Sequence, residues 1–171
     1  KQLEQKGAKS LVLDLRGNGG GLLHEAVNIV NIFVEKGNLV VSKKAKNVEN
    51  SNIFKTTQKA IAPNIPLAVM IDAYSASASE IVAGSLQDLD RAVVIGQPSY
   101  GKGLVQTIIP LVYNAQMKVT ESKYYIPSGR CIQAIDYSSR DENGRAEKIP
   151  DSLKTAFKTK NGRTVYAGSG I

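Results

Sequence analysis

Ser75, Ser77 and Ser79 stand within one short window, Ser75-Ala76-Ser77-Ala78-Ser79-Glu80, and each carries a hydroxyl that could act as a nucleophile. Downstream, Gly101-Lys102-Gly103-Leu104-Val105-Gln106 carries an amine that could act as a base. A serine hydroxyl attacks poorly until a neighbour takes its proton, and that neighbour is most often histidine. The chain has one histidine, His24, which falls on a polar helical stripe. A serine reaction here therefore assigns the proton to lysine. A lysine drawn out of water gives up its proton more readily, and a neutral amine is what a general base must be. The bare glycines beside Lys102 leave room for that withdrawal. Gln106 could accept a hydrogen bond from the amine and hold it towards the serine. On a straight strand, positions 102 and 106 share a face but lie roughly 13 Å apart. Contact between them requires a bend or bulge, expected at Gly103.

Helix logic separates the three serines. Ser77 with Glu80 three residues on is an S-x-x-E capping box directly before a helical pattern. The amide of Ala78 then lies in the first turn, where backbone N–H groups lack intrahelical partners and the helix dipole is positive. An oxyanion forming there meets a donor already in place. Acyl transfer usually uses a second donor, and Arg16-Gly17-Asn18-Gly19-Gly20-Gly21 could bring one as bare backbone. The same two stretches also fit an ordinary N-cap and a tight strand-to-helix turn.

Rival chemistries use some of the same residues. Residues 96–103 read G-x-x-x-x-G-K followed by glycine, nearly a P-loop. The magnesium-binding hydroxyl is missing, and a β-type run follows where phosphate binding needs a helix start. The glycine loop lacks the third glycine of a dinucleotide fingerprint, since position 22 is leucine. Asp14 and Asp72 end strand-like runs and read as structural carboxylates that accept bonds from the backbone or Arg16. One cysteine, Cys131, and one histidine are too few for a zinc site, and Cys131 has no partner for an internal disulfide. The formal charge of +7 is scattered, and no nucleic-acid-reading motif accompanies it.

These residues need a scaffold, and periodicity supplies one. Residues 10–16, 38–42, 67–72 and 91–96 read as strands buried on both faces. Residues 22–35 read as a helix with His24, Asn28, Asn31 and Glu35 on its wet stripe, closed by Gly37. Residues 77–87 read as a second helix. This alternation predicts an α/β core with largely parallel strands. Residues 43–64 are polar and aperiodic and read as a loop or irregular excursion. Residues 104–110, 117–126 and 131–135 are β-like, with 118–124 expected near a sheet edge. Residues 138–150 read as a polar surface loop. Asn161-Gly162 is the strongest hairpin signal. The length of 171 residues suits one domain. Residues 1–9 read as the tail of a helix and the last residues as no natural stop, so the chain reads as a fragment.

Taken together, Asp14-Leu15-Arg16-Gly17-Asn18-Gly19-Gly20-Gly21, the block from Ser75 to Glu80, and Gly101 to Gln106 resemble the carboxyl-terminal processing peptidases, or tail-specific proteases. The blocks Ala83-Gly84-Ser85-Leu86-Gln87-Asp88, Arg91-Ala92, Tyr124 to Arg130 and Ile132-Gln133 fit the same family. Many relatives have proline where Gly19 stands here. The resemblance implies Ser77 as nucleophile, Lys102 as general base, Gln106 as the residue orienting it, and the amides of Ala78 and Gly20 as oxyanion donors. It implies a ClpP/crotonase-like α/β fold of stacked β-β-α units, with extra strands and a hairpin towards the C-terminus. It implies cleavage of proteins near exposed C-termini, no cofactor and no metal, a PDZ domain elsewhere in the same full-length chain, and a place in the cell envelope, periplasmic or exported. A catalytically silent peptide-binding module of the same fold, or a P-loop-like nucleotide binder, are the alternatives.

Overall fold

The computed structural model describes residues 2–47, 49 and 51–171. Its centre is a parallel sheet in the order β1 (Leu11–Asp14), β4 (Leu67–Ile71), β5 (Val93–Gly96). Parallel neighbours require crossover connections, and helices provide part of each: α2 (Leu23–Phe33) leaves β1, and α3 (Ala78–Asp88) joins β4 to β5. A four-residue helix α1 (Gln2–Gln5) precedes β1. Val30, Val69, Ile81 and Leu86 meet in the apolar core between helices and sheet. The strands were expected to be covered on both faces, but the helices cover one. Val12, Val93 and Ile95 stand exposed on the other.

Helix α3 is buried along nearly its whole length. One side meets the core. On the other, a side chain at Gly84 would collide with Ile126 and Ile171, which explains the glycine. Helix α2 ends at Phe33, before the expected stop, because Val34 is already extended. Gly37, at φ +93, turns the chain into the next strand instead of capping the helix. Asn31 is buried, contrary to its place on the predicted wet stripe. Its amide donates to the Gln58 carbonyl and accepts from the Thr57 and Gln58 amides at 2.7, 3.0 and 2.9 Å, so it fastens a strap across the helix.

That strap belongs to the stretch read as an irregular excursion. Part of it is ordered by pairing: β2 (Leu39–Ala45) runs on through the lysines and is paired antiparallel with β3 (Asn52–Lys55), while residues 56–64 are irregular, as expected. Residues 48 and 50 of the stretch lie outside the described residues. β2 and β3 belong to a second sheet, β3-β2-β7-β6, with β6 (Leu104–Pro110) and β7 (Gln116–Tyr125). β7 has partners on both sides only at Ser122–Tyr125; of the stretch expected near an edge, residues 118–120 pair with β6 alone among the described residues. The polar loop expected over 138–150 is partly a hairpin, β8 (Ile135–Arg140) with β9 (Ala146–Lys148). Its residues are polar because both strands lie at the surface. The Asn161-Gly162 signal holds: it lies between β10 (Ala156–Lys158) and β11 (Thr164–Tyr166), with Gly162 at φ +88.

The far end of α3 is pinned by a buried ion pair. Arg130 and Asp88 are 3% and 1% exposed, and their charged atoms stand 3.1 Å apart. Arg130 also donates to the Gln87 side chain at 2.7 Å and to the Tyr166 carbonyl at 3.1 Å. Burial pushes the guanidinium pKa down, and Asp88 opposes that shift.

Candidate active site

Parallel strands all end at one rim, and the chain leaves that rim three times. The glycine loop follows β1, the serine turn follows β4, and the lysine loop follows β5. The three stretches singled out in the sequence are thus brought to one edge by strand direction alone.

Burial sorts the three serines. Ser75 is fully buried; its hydroxyl donates to the Leu15 carbonyl at 2.7 Å and accepts the Asp72 amide at 3.0 Å. Ser79 is buried as well. Ser77 is half-buried between them. Its backbone sits at φ 59, ψ −116, a region L-residues rarely occupy, at a cost of about 1–3 kcal/mol. Ser77 stands at the sharp strand-to-helix turn that opens α3, where its side chain takes part in the capping box with Glu80. Ala76 and Ala78 are small and keep the turn uncluttered.

Gly20 lies directly behind the turn, at φ +101. A Cβ there would meet the Ala76 carbonyl at 2.6 Å and the Ala78 amide and Ser77 Cβ at 2.9 Å, so only glycine fits. The Gly20 amide was expected as an oxyanion donor. It donates instead to Asn18 Oδ1 at 2.9 Å, closing an Asx turn within the loop. Asp72 ties the loop to the serine turn. Its Oδ1 accepts the amides of Gly17, Tyr74 and Ser75, each at 3.0 Å. Those bonds, Gly17 first, hold its pKa below the ordinary aspartate value. Asp14 pairs with Arg16 at 2.7 Å, and that hydrogen bond brings its pKa down to about 2. Both aspartates are structural, as expected. His24 projects into solvent with its side chain 66% exposed.

An apolar pocket of about 300 Å³ opens beside Gly20 and Ala78, walled by Leu15, Leu22, Ala26, Ile29 and Val82, with Glu25 among its lining. A second cavity of about 330 Å³ is shared by Ala76, Lys102, Gln106, Gln133 and Tyr137. Lys102 and Gln106 thus face one space. The bend this requires occurs in β6, but the register shift falls between Val105 and Gln106, not at Gly103. Gln106 donates to Thr120 across the ribbon at 3.4 Å. The glycines beside Lys102 also have a different cause from the expected one. A Cβ on Gly101 would strike Ala134, and one on Gly103 would strike the Gln133 backbone. They are small so that residues 133–134 can close over the loop.

Glu80 was legible only as half of a capping box. It is completely buried and accepts four bonds. Oε2 takes the Ser77 amide at 2.7 Å and the Lys102 amide at 2.8 Å. Oε1 takes the Ser99 hydroxyl and the Gly101 amide, both at 2.6 Å. The nitrogens of Ser77 and Lys102 therefore lie within about 5.5 Å, the sum of the two Oε2 distances. A signal was present: a charge in a helix otherwise rich in alanine and apolar residues must find partners once buried.

The sequence pattern of peptidase family S41 matches residues 1–138. The chain belongs to peptidase family S41. Among curated relatives of this S41 chain, the carboxy-terminal-processing protease of Bartonella bacilliformis is 46% identical over 127 residues, covering 74% of the chain and 29% of the relative. The chloroplastic C-terminal processing peptidase of Tetradesmus obliquus is 36% identical over 153 residues, covering 90% of the chain and 32% of the relative. The chain thus spans about a third of the length of these relatives. Among solved structures, the photosystem II D1 C-terminal processing protease superposes with a TM-score of 0.69 at 34% identity, over 77% of this chain and 34% of that one. The expected fold class, an α/β core of the ClpP type, stands on that likeness.

Proposed function

We propose that this chain is the catalytic core of a serine endopeptidase that cuts proteins near their C-termini through an acyl-enzyme. Ser77 Oγ forms a bond to the scissile carbonyl carbon while the Lys102 amine takes the hydroxyl proton. The carbonyl electron pair moves onto oxygen and is received by the Ala78 amide, and by the Gly20 amide once Asn18 Oδ1 releases it. The carbon–nitrogen bond then breaks, and Lys102 returns the proton to the departing amine. Water opens the resulting ester by the same route in reverse order. Gln106 orients the amine. The apolar pocket beside Gly20 and Ala78 suits an apolar substrate side chain next to the cut. Substrates are proteins or peptides with exposed C-termini, presented by a PDZ domain of the same full-length chain, in the cell envelope, periplasmic or exported.

One observation carries this reading: the strained, half-buried Ser77 at the mouth of α3 shares a carboxylate oxygen with the Lys102 loop. One observation favours the silent peptide-binding module instead, namely the occupied Gly20 amide. Ser77→Ala separates the two. Cleavage of a fluorogenic peptide with an apolar C-terminus should fall by about 10³-fold or more while its binding persists. Cleavage surviving in Ser77→Ala means that the nucleophile is elsewhere. In the parent enzyme, activity should rise with pH, as catalysis by a general base requires. That rise should be absent from whatever residual activity Lys102→Arg retains.

A further inference from the structure

We propose that Glu80 is the positioning residue of this site, setting the distance between Ser77 and Lys102 by holding both of their backbone amides on one carboxylate oxygen. The proposal rests on the assignment of Ser77 and Lys102 made above.

Capping alone does not account for Glu80. A capping glutamate at the third helical position needs only the amide of its own N-cap residue. Glu80 has that bond, to Ser77 at 2.7 Å. Its three other donors, Ser99 Oγ, Gly101 N and Lys102 N, all belong to the connection between β5 and β6, some twenty residues away in sequence. That connection has no regular secondary structure. The cost of burying a carboxylate is met here by a hydroxyl and three amides at the positive end of α3, and no cation pairs with it among the described residues.

The other side of the loop is fixed independently. Ala134 donates to the Gly101 carbonyl at 3.0 Å, and Gly103 donates to the Gln133 side chain at 2.8 Å. Ser99 also accepts the Ile171 amide at 2.8 Å. The Tyr100 amide also donates to the Ser75 carbonyl at 3.0 Å, but Glu80 is the tie that reaches both the Lys102 amide and the turn that strains Ser77. The lysine amine hangs on a flexible four-carbon stem, so its reach is set by where its backbone is held. A displacement of about 1 Å in such a pair can cost about 10²-fold in rate.

The test compares Glu80→Gln and Glu80→Asp with the parent in the intact protein, using the same fluorogenic peptide and a fluorophosphonate that labels an active serine. Glutamine keeps the shape but turns an –NH₂ towards donors. Aspartate keeps the charge but withdraws it by one methylene. The expected result is a kcat lower by about 10²-fold for Glu80→Gln and about 10-fold for Glu80→Asp, with KM within about threefold. Fluorophosphonate labelling should slow in parallel, and the pH at which activity rises should shift. Folded variants with the parent kcat and the parent pH profile overturn the proposal. Loss of the native fold in both variants overturns it too, since Glu80 would then determine folding and not placement. Ser77→Ala and Lys102→Ala controls keep the two ideas apart. If both are inactive while the Glu80 variants run at the parent rate, only the role of Glu80 fails. If Ser77→Ala stays active, the serine–lysine reading itself fails.

Discussion

The proposed nucleophile and the proposed base come from regions of opposite character. Ser77 sits on the parallel-sheet half, where α3 is enclosed on all sides and its neighbours Ser75, Ser79 and Glu80 are buried. Lys102 and Gln106 open a ribbon that leaves the body. Beyond Val105 every residue of β6 is exposed, and at the tip Val112 and Tyr113 are 75% and 99% exposed. A two-stranded ribbon has little stability of its own. The strained serine is affordable because the packing around it over-determines its backbone. In the proposed reaction the lysine needs no strain, but it needs delivery to a fixed address. The contrast teaches that one half of the site stores its geometry in a core, whereas the other borrows geometry through a few hydrogen bonds at the ribbon's root.

Three measurements would break or sharpen that contrast. The largest effect is expected at the buried pair behind α3. Arg130→Ala strands Asp88 inside the protein and should cost about 3–5 kcal/mol of unfolding free energy, read by urea denaturation. A loss below 1 kcal/mol would show that the serine half does not depend on that anchor.

A smaller effect is expected at Asp72, which joins the glycine loop to the serine turn. Its pKa is lowered in the folded chain by the amides of Gly17, Tyr74 and Ser75 and the Ser75 hydroxyl. Its stabilisation is therefore complete above the ordinary aspartate value of 3.8 and is lost as pH falls through the lower folded value. Melting temperature against pH should drop below about pH 4, and Asp72→Asn should flatten part of that drop. Asp14, at about 2, contributes over the same acid range and is separated by Asp14→Asn. An unchanged acid profile in Asp72→Asn would remove the carboxylate from this role.

The smallest effect is expected at the ribbon tip. Val112→Ser should change stability by no more than about 0.5 kcal/mol, since the side chain has nothing to unpack. A loss above 1 kcal/mol would mean that the tip is packed in solution and that the two regions are less different than they look.

The scaffold was legible wherever local pattern decides structure. The runs that became β1, β4 and β5 and the periods that became α2 and α3 are read from neighbouring residues alone. So is Asn161-Gly162. What escaped was fixed from a distance. β3 is a strand because β2 pairs with it, and nothing in Asn52–Lys55 announces this. Asn31 reads as a wet residue because the strap that buries it lies more than twenty positions ahead. In the site, Ser77 was separable from Ser75 and Ser79 by helix-capping logic. The full role of Glu80 was not, since three of its four bonds reach a loop that sequence cannot bring near. The bulge was foreseen as a necessity, but its place at Val105–Gln106 depends on the register of β7.

The common heading of β1, β4 and β5 separates workbench from tools. The glycine loop, the serine turn and the lysine loop hang from connectors that leave the sheet at the same rim, while the slab beneath contributes direction and rigidity. Such a layout tolerates exchange of a connector with little disturbance to the slab. It leaves specificity free to drift through loop replacement long after the underlying architecture has stopped changing.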